Sequence, residues 1–146
     1  MKPVNYQPFF ISPYYEYWGN VEKKRIYSKF IGSWKDPDII PTFLADTNKV
    51  VELMPLGIET SIADVSLIGI SHHEKCKEAH RELHRISLQY LKNLALVIAM
   101  KHNHGDVFYV MPLHEQTGLR VSAQFYNLKA AEEYLDSWQQ AQDKKI

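Results

Sequence analysis

Residues 71–105 read SHHEKCKEAHRELHRISLQYLKNLALVIAMKHNHG, and whether they form one element or two decides the fold. Ser71 can cap a helix, and Glu74 stands at the capping-box spacing behind it. Cys76, Ala79, Leu83, Ile86, Tyr90, Leu94 and Val97 then recur at steps of three and four, the apolar stripe of an amphipathic helix. Lys101, His102 and Gly105 are stop signals. Taken whole, the stretch is a single helix of about 30 residues, far longer than the average helix. A rival parse ends the helix near Lys92 and makes Leu94-Ala95-Leu96-Val97-Ile98-Ala99-Met100 a strand. Alanine, leucine and methionine favour helix over strand, so the expectation is the single long helix.

The flanking segments are read outward from it. Residues 62–70 contain the apolar run Val65, Leu67, Ile68 and Ile70, as a buried strand would. Residues 106–112 and 119–126 read as an antiparallel hairpin around a polar turn. Asn127 caps a last helix with Ala130, Ala131, Tyr134, Leu135 and Trp138 on its apolar side. Residues 139–146 read as a frayed polar tail. Upstream, residues 25–31 alternate as a half-buried strand: Ile26, Ser28 and Phe30 on one side, Arg25, Tyr27, Lys29 and Ile31 on the other. Asp36-Pro37 suits a helix start, Pro41 confines that helix to a short piece ending near Asp46, and residues 49–54 read as a strand. The sum is one α+β domain over residues 1–146, with an antiparallel or mixed sheet, a long central helix and a C-terminal helix. From residue 62 onward, strand–helix–strand–strand–helix fits a ferredoxin-like βαββα arrangement. Its missing strand would come from residues 49–54 or 25–31.

Composition narrows the function classes. The chain has 146 residues and a formal net charge of zero, which argues against nucleic acid as the partner because such binders carry a basic surplus. One cysteine precludes an intrachain disulfide and suits a reducing, cytoplasmic setting. The longest apolar run has seven residues, too few to span a membrane. Ten of the eighteen aromatic residues fall within the first 34 positions, and disordered tails are poor in aromatics. Residues 1–20 are therefore expected to be an extended or turned aromatic arm that packs on something. It either covers the domain's own core or offers Phe9, Phe10, Tyr14, Tyr15, Tyr17 and Trp18 to a partner, since tyrosine and tryptophan are enriched at binding hot spots.

The histidines are the other candidate site. His72, His73, His80 and His84 lie within thirteen residues of each other together with Cys76, and imidazole and thiolate are zinc ligands. His80 and His84, one helical turn apart, form a feasible chelating pair, with His102, His104 or His114 completing the set. Yet Arg81 stands where the metalloprotease helix needs glutamate directly after its first histidine. His102-Asn103-His104-Gly105-Asp106 resembles the opening of the metallo-β-lactamase-type motif over five residues. That family continues with histidine where this chain has Val107, so no role is carried over. No nucleophile elbow, phosphate loop or dinucleotide fingerprint is present.

The sequence thus points to a small accessory protein of inhibitor or immunity type. It would be without catalytic activity or cofactor, and would bind another protein or a second copy of itself through the aromatic N-terminal surface. The alternatives are a zinc-binding protein or metal-dependent hydrolase built on the histidines, and a nucleic-acid module built on the hairpin around Arg120, Phe125 and Tyr126.

Overall fold

A computed structural model describes residues 5–32, 34, 37–68, 74–97 and 121–144. Among these residues six strands lie in one sheet in strict chain order: β1 (Gln7–Ile11), β2 (Tyr15–Asn20), β3 (Arg25–Gly32), β4 (Thr60–Ile68), β5 (Asn93–Val97) and β6 (Val121–Phe125). The first three form an antiparallel meander, and β3 to β6 pair in parallel. The fold is α+β with a mixed sheet. A 3-10 turn (Pro37–Ile39) runs into helix α1 (Ile40–Glu52), α2 is Glu74–Leu88 and α3 is Leu128–Asp143. None of the described helices is long and apolar enough to cross a membrane.

The sheet is buried on both faces. On one, Phe43 and Val50 of α1 and Ala79 of α2 join Tyr15, Tyr17, Ile26, Phe30 and Val65 in one cluster. On the other, Ala131 and Leu135 of α3 pack against Trp18, Tyr27, Ile62, Ala95 and Val97, with Tyr6 beside them. The alternation read in β3 is correct, but the strand is not half-buried: Arg25, Ile26, Tyr27 and Ser28 are all inside. Phe43 is the hub of the first cluster. Its ring meets Trp34 at 4.8 Å and Tyr15 at 5.2 Å, both edge-to-face, the favoured aromatic geometry. The β2–β3 turn closes through Lys24, which donates its N–H to the Val21 carbonyl at 3.2 Å and adopts a positive φ of 53°.

Four sequence expectations are corrected. Residues 71–105 are not one helix. The helix stops at Leu88, the Gln89 N–H closes on the Ile86 carbonyl, and β5 follows at Asn93. All five β5 residues are buried, and a strand buried on both faces reads as a continuous apolar run with no period. Burial between two parallel neighbours outweighs the helical preference of alanine and leucine. Residues 49–54 are not a strand: α1 continues through them to Glu52, placing Phe43, Thr47 and Val50 inward at helical spacing. Pro41 falls in the first turn of α1, where a missing N–H costs nothing, so it does not shorten the helix. Nor is the C-terminal end frayed from residue 139, because α3 runs to Asp143 and the Gln139 amide donates to the Lys23 carbonyl at 2.9 Å.

The arrangement from residue 62 onward also differs from a ferredoxin-like unit. β4 and β5 are immediate parallel neighbours, whereas that unit splits its strand–helix–strand pair around another strand. β6 pairs in parallel with β5. The other arm of the expected hairpin, residues 106–112, lies outside the described residues.

Candidate functional site: a groove between the first two helices

Helices α1 and α2 lie side by side over one face of the sheet, and an open groove of about 830 Å³ runs between them. Its floor is aliphatic, Ile40 and Leu44 from α1 and Ala79 from α2, with Pro41 exposed at its edge. Ile40 and Leu44 are one turn apart on α1 and therefore line the same side. Ala79 is 3% exposed. The rim is charged. Asp38 stands at the head of α1, and Glu74, Glu78 and Glu82 follow one another at four-residue steps along α2, with Lys75 and Arg85 near the two ends. Arg81 pairs with Glu78 and reaches Glu74 at 3.8 Å, and Arg85 pairs with Glu82. All three are exposed, and the two that are one turn apart are worth only about 0.3–0.5 kcal/mol each, so they organise the rim without sealing it.

The opposite face of the sheet carries a polar row that sequence reasoning did not single out. Glu16, Lys29 and Asp64 occupy adjacent register positions on β2, β3 and β4. Asp64 is buried and accepts from the Tyr27 hydroxyl at 2.7 Å, the Ser66 N–H at 2.9 Å and the Ser66 hydroxyl at 2.5 Å. Glu16 accepts from the Trp18 indole at 2.9 Å. Burial, and then the Asp64 carboxylate, push the Tyr27 phenol well above its usual range, so Tyr27 stays a donor. Every oxygen of Asp64 is engaged by fixed neighbours. The row braces three strands.

The six aromatic residues expected to face a partner are woven into the fold. Tyr15, Tyr17 and Trp18 are buried in β2. Phe9 and Phe10 in β1, and Tyr14, are half-buried and pack on the first cluster. The Tyr15 hydroxyl donates to Asp46 at 2.6 Å. The Tyr17 hydroxyl shares a 2.6 Å bond with Thr47, whose own hydroxyl donates to the Phe43 carbonyl. Burial raises both phenols above their usual range. The segment is thus sheet and core, and of its six aromatic residues Phe9, Phe10 and Tyr14 are the ones partly exposed to solvent.

Of the histidines, His80 and His84 sit one turn apart on α2, with side chains outside what is described. His102, His104 and His114 lie outside the described residues, as does most of the hairpin with Arg120. Among the described residues no three histidine, cysteine, aspartate or glutamate side chains are grouped so as to hold a metal ion. The groove itself left a faint trace in sequence: Ile40 and Leu44 one turn apart, and glutamates recurring every fourth residue beside Ala79. No family model, curated protein or solved structure matches the chain.

Proposed function

We propose that this chain is a small accessory domain without catalytic activity, that it binds another protein, and that the α1–α2 groove is its docking surface. The observation carrying this reading is the groove's composition: an aliphatic floor between exposed charged walls. A small-molecule pocket encloses most of its ligand and aims a few fixed polar groups at it. Here the floor has no polar group and the charges stand at the rim, the layout of a protein interface with an apolar centre and polar edge. The N-terminal aromatics support the reading indirectly, because they build the sheet that seats both helices. The single cysteine fits a reducing compartment such as the cytoplasm.

A photo-cross-linking residue at Asn48, on the groove wall, tests this in the cells that make the protein. The same group at Lys24, an exposed turn position remote from the groove, is the control. The expected result is one adduct of defined mass from position 48, abolished by Leu44→Glu and absent from position 24. Equal labelling from both positions, or none from position 48, would refute the assignment.

A further inference from the structure

A second, smaller cavity lies between α1, the C-terminal half of α2 and the sheet, and no described residue lines both it and the groove. It holds about 50 Å³. Two serines line its inner wall. Ser28 of β3 and Ser61 of β4 sit on the sheet face that carries Ile26, Phe30 and Val65, where larger apolar side chains would ordinarily fill the space. They are diagonal neighbours across the β3–β4 seam, since Ser61 pairs with Ile26 and Ser28 with Ala63. Both are buried, at 6% and 7% exposed, and neither hydroxyl has a hydrogen-bond partner among the described residues. Both oxygens border the open space of the cavity, because the Tyr6 hydroxyl alone among described side-chain atoms is at once sealed and unpaired.

The other wall groups narrow what fits. Thr47 spends its only hydroxyl proton on the Phe43 carbonyl at 2.8 Å, so Tyr17 is the donor in the bond they share. Both keep acceptor capacity only, which leaves the two serines as the free donors of the inner wall. Val50 and Ile58, and Leu83 and Ile86 of α2, are aliphatic, and no charged side chain lines the cavity among the described residues. The mouth is at Tyr90, 37% exposed, and half-buried Leu91.

We propose that this cavity is a binding site for a small neutral molecule with one hydroxyl on a short aliphatic chain. The hydroxyl donates to one serine oxygen and accepts from the other, and the chain runs along Val50, Leu83 and Ile86 to the mouth. An ion would lose its water with no opposite charge to meet it. A hydrocarbon would displace water from the serines and leave two buried hydroxyls unpaired. Water itself takes two to four polar partners, and against this wall it finds them on one side only. Size sets the length. An apolar cavity of about 150 Å³ takes a benzene ring, so about 50 Å³ encloses the hydroxyl and about one or two carbons, with the end of the chain in the mouth.

Propan-1-ol, butyrate and 1-chloropropane carry the same propyl chain on a hydroxyl, a carboxylate and a chlorine. Titrated at neutral pH into the full, isotope-labelled chain, propan-1-ol is expected to shift the amide signals of Ser28, Ser61 and Val50 saturably, and butyrate to leave them unmoved. In Ser28→Ala/Ser61→Ala the alcohol should bind about tenfold more weakly, a factor of about three for each neutral hydrogen bond lost, while 1-chloropropane binds no more weakly than before. Should the double variant lose the amide spectrum of the folded chain, Ser61→Ala alone carries the same test at about threefold. No saturable shift from the alcohol would mean that the cavity holds water only. An equal loss for alcohol and chloride, or butyrate binding as tightly as the alcohol, would mean that the serines do not select the ligand. Either result overturns the proposal.

Discussion

Replacing Arg25 by methionine should loosen α3 from the sheet. Arg25 is fully buried at the start of β3, and its guanidinium is spoken for on every side. Nε donates to the Thr60 hydroxyl at 2.9 Å, Nη1 to Glu132 at 2.5 Å and Asp136 at 2.9 Å, and Nη2 to Gln139 at 2.7 Å. Three of those four partners lie on α3, so one side chain fastens that helix along two turns. Lys23 adds weaker bonds to Glu132 at 3.4 Å and Asp136 at 3.1 Å. The Tyr6 hydroxyl lies buried beside Arg25 and Glu132 and makes no well-aligned hydrogen bond among the described residues.

Methionine keeps much of the volume and removes the charge, leaving Glu132 to Lys23 alone. Breaking a buried pair from one side costs about 3–5 kcal/mol. The Asp136 side chain is 37% exposed and Lys23 remains, so the expected loss is about 2–4 kcal/mol, or a fall in Tm of about 6–12 °C for a domain of this size. Urea unfolding of the single variants Arg25→Met and Glu132→Gln, and of the double variant, isolates the pair as a coupling of about 1.5–3 kcal/mol. Amide exchange should quicken in α3 before it does in β3 and β4. A total loss below about 1 kcal/mol, with coupling below about 0.5 kcal/mol, would mean the α3 contacts of Ala131 and Leu135 suffice and the reasoning about Arg25 is wrong.

Gly19→Ala should cost about 1–3 kcal/mol as overpacking, because a methyl group there would overlap the Phe9 ring and meet the Met54 sulfur at 3.0 Å; in a Phe9→Ala background the penalty should shrink, and an unchanged penalty would implicate the backbone instead. Tyr6, Tyr15, Tyr17 and Tyr27 all have phenols raised by burial. The unfolded chain therefore releases these protons first, so their contribution is intact below about pH 10 and falls above it by up to about 1.4 kcal/mol per pH unit for each tyrosine. Phenolate absorbance should rise together with loss of the folded signal, and independent titration without unfolding would contradict their burial. The purified, untagged protein is expected to carry no stoichiometric zinc and to keep its unfolding midpoint within about 1 kcal/mol in a His80→Ala/His84→Ala variant; metal present in the parent and absent from the variant would establish the histidine site instead.

What was legible in the sequence follows from how each element is buried. β3 showed its period because its two faces differ chemically, with Arg25, Tyr27 and Lys29 opposing Ile26, Ser28 and Phe30. The start of α3 was legible because capping is local: the Asn127 side chain accepts from the Ala130 N–H at 2.8 Å, as its position before the apolar stripe implied. β5 was misread because both its faces are apolar, so no period distinguishes it from the helix before it. The available signal was the polar pair Lys92-Asn93 interrupting the stripe. Asn93 is almost fully buried, and its amide donates to the Tyr134 hydroxyl of α3 at 3.1 Å while its oxygen accepts from the Leu94 N–H at 2.9 Å. A buried asparagine at the mouth of a strand needs partners that only the folded sheet supplies, and local propensity cannot anticipate them. The groove was hidden for the same reason. Ile40 and Leu44 meet Ala79 only after β4 has paired beside β3 and brought α1 and α2 onto one face, so a docking surface of this kind belongs to the topology before it belongs to any stretch of sequence.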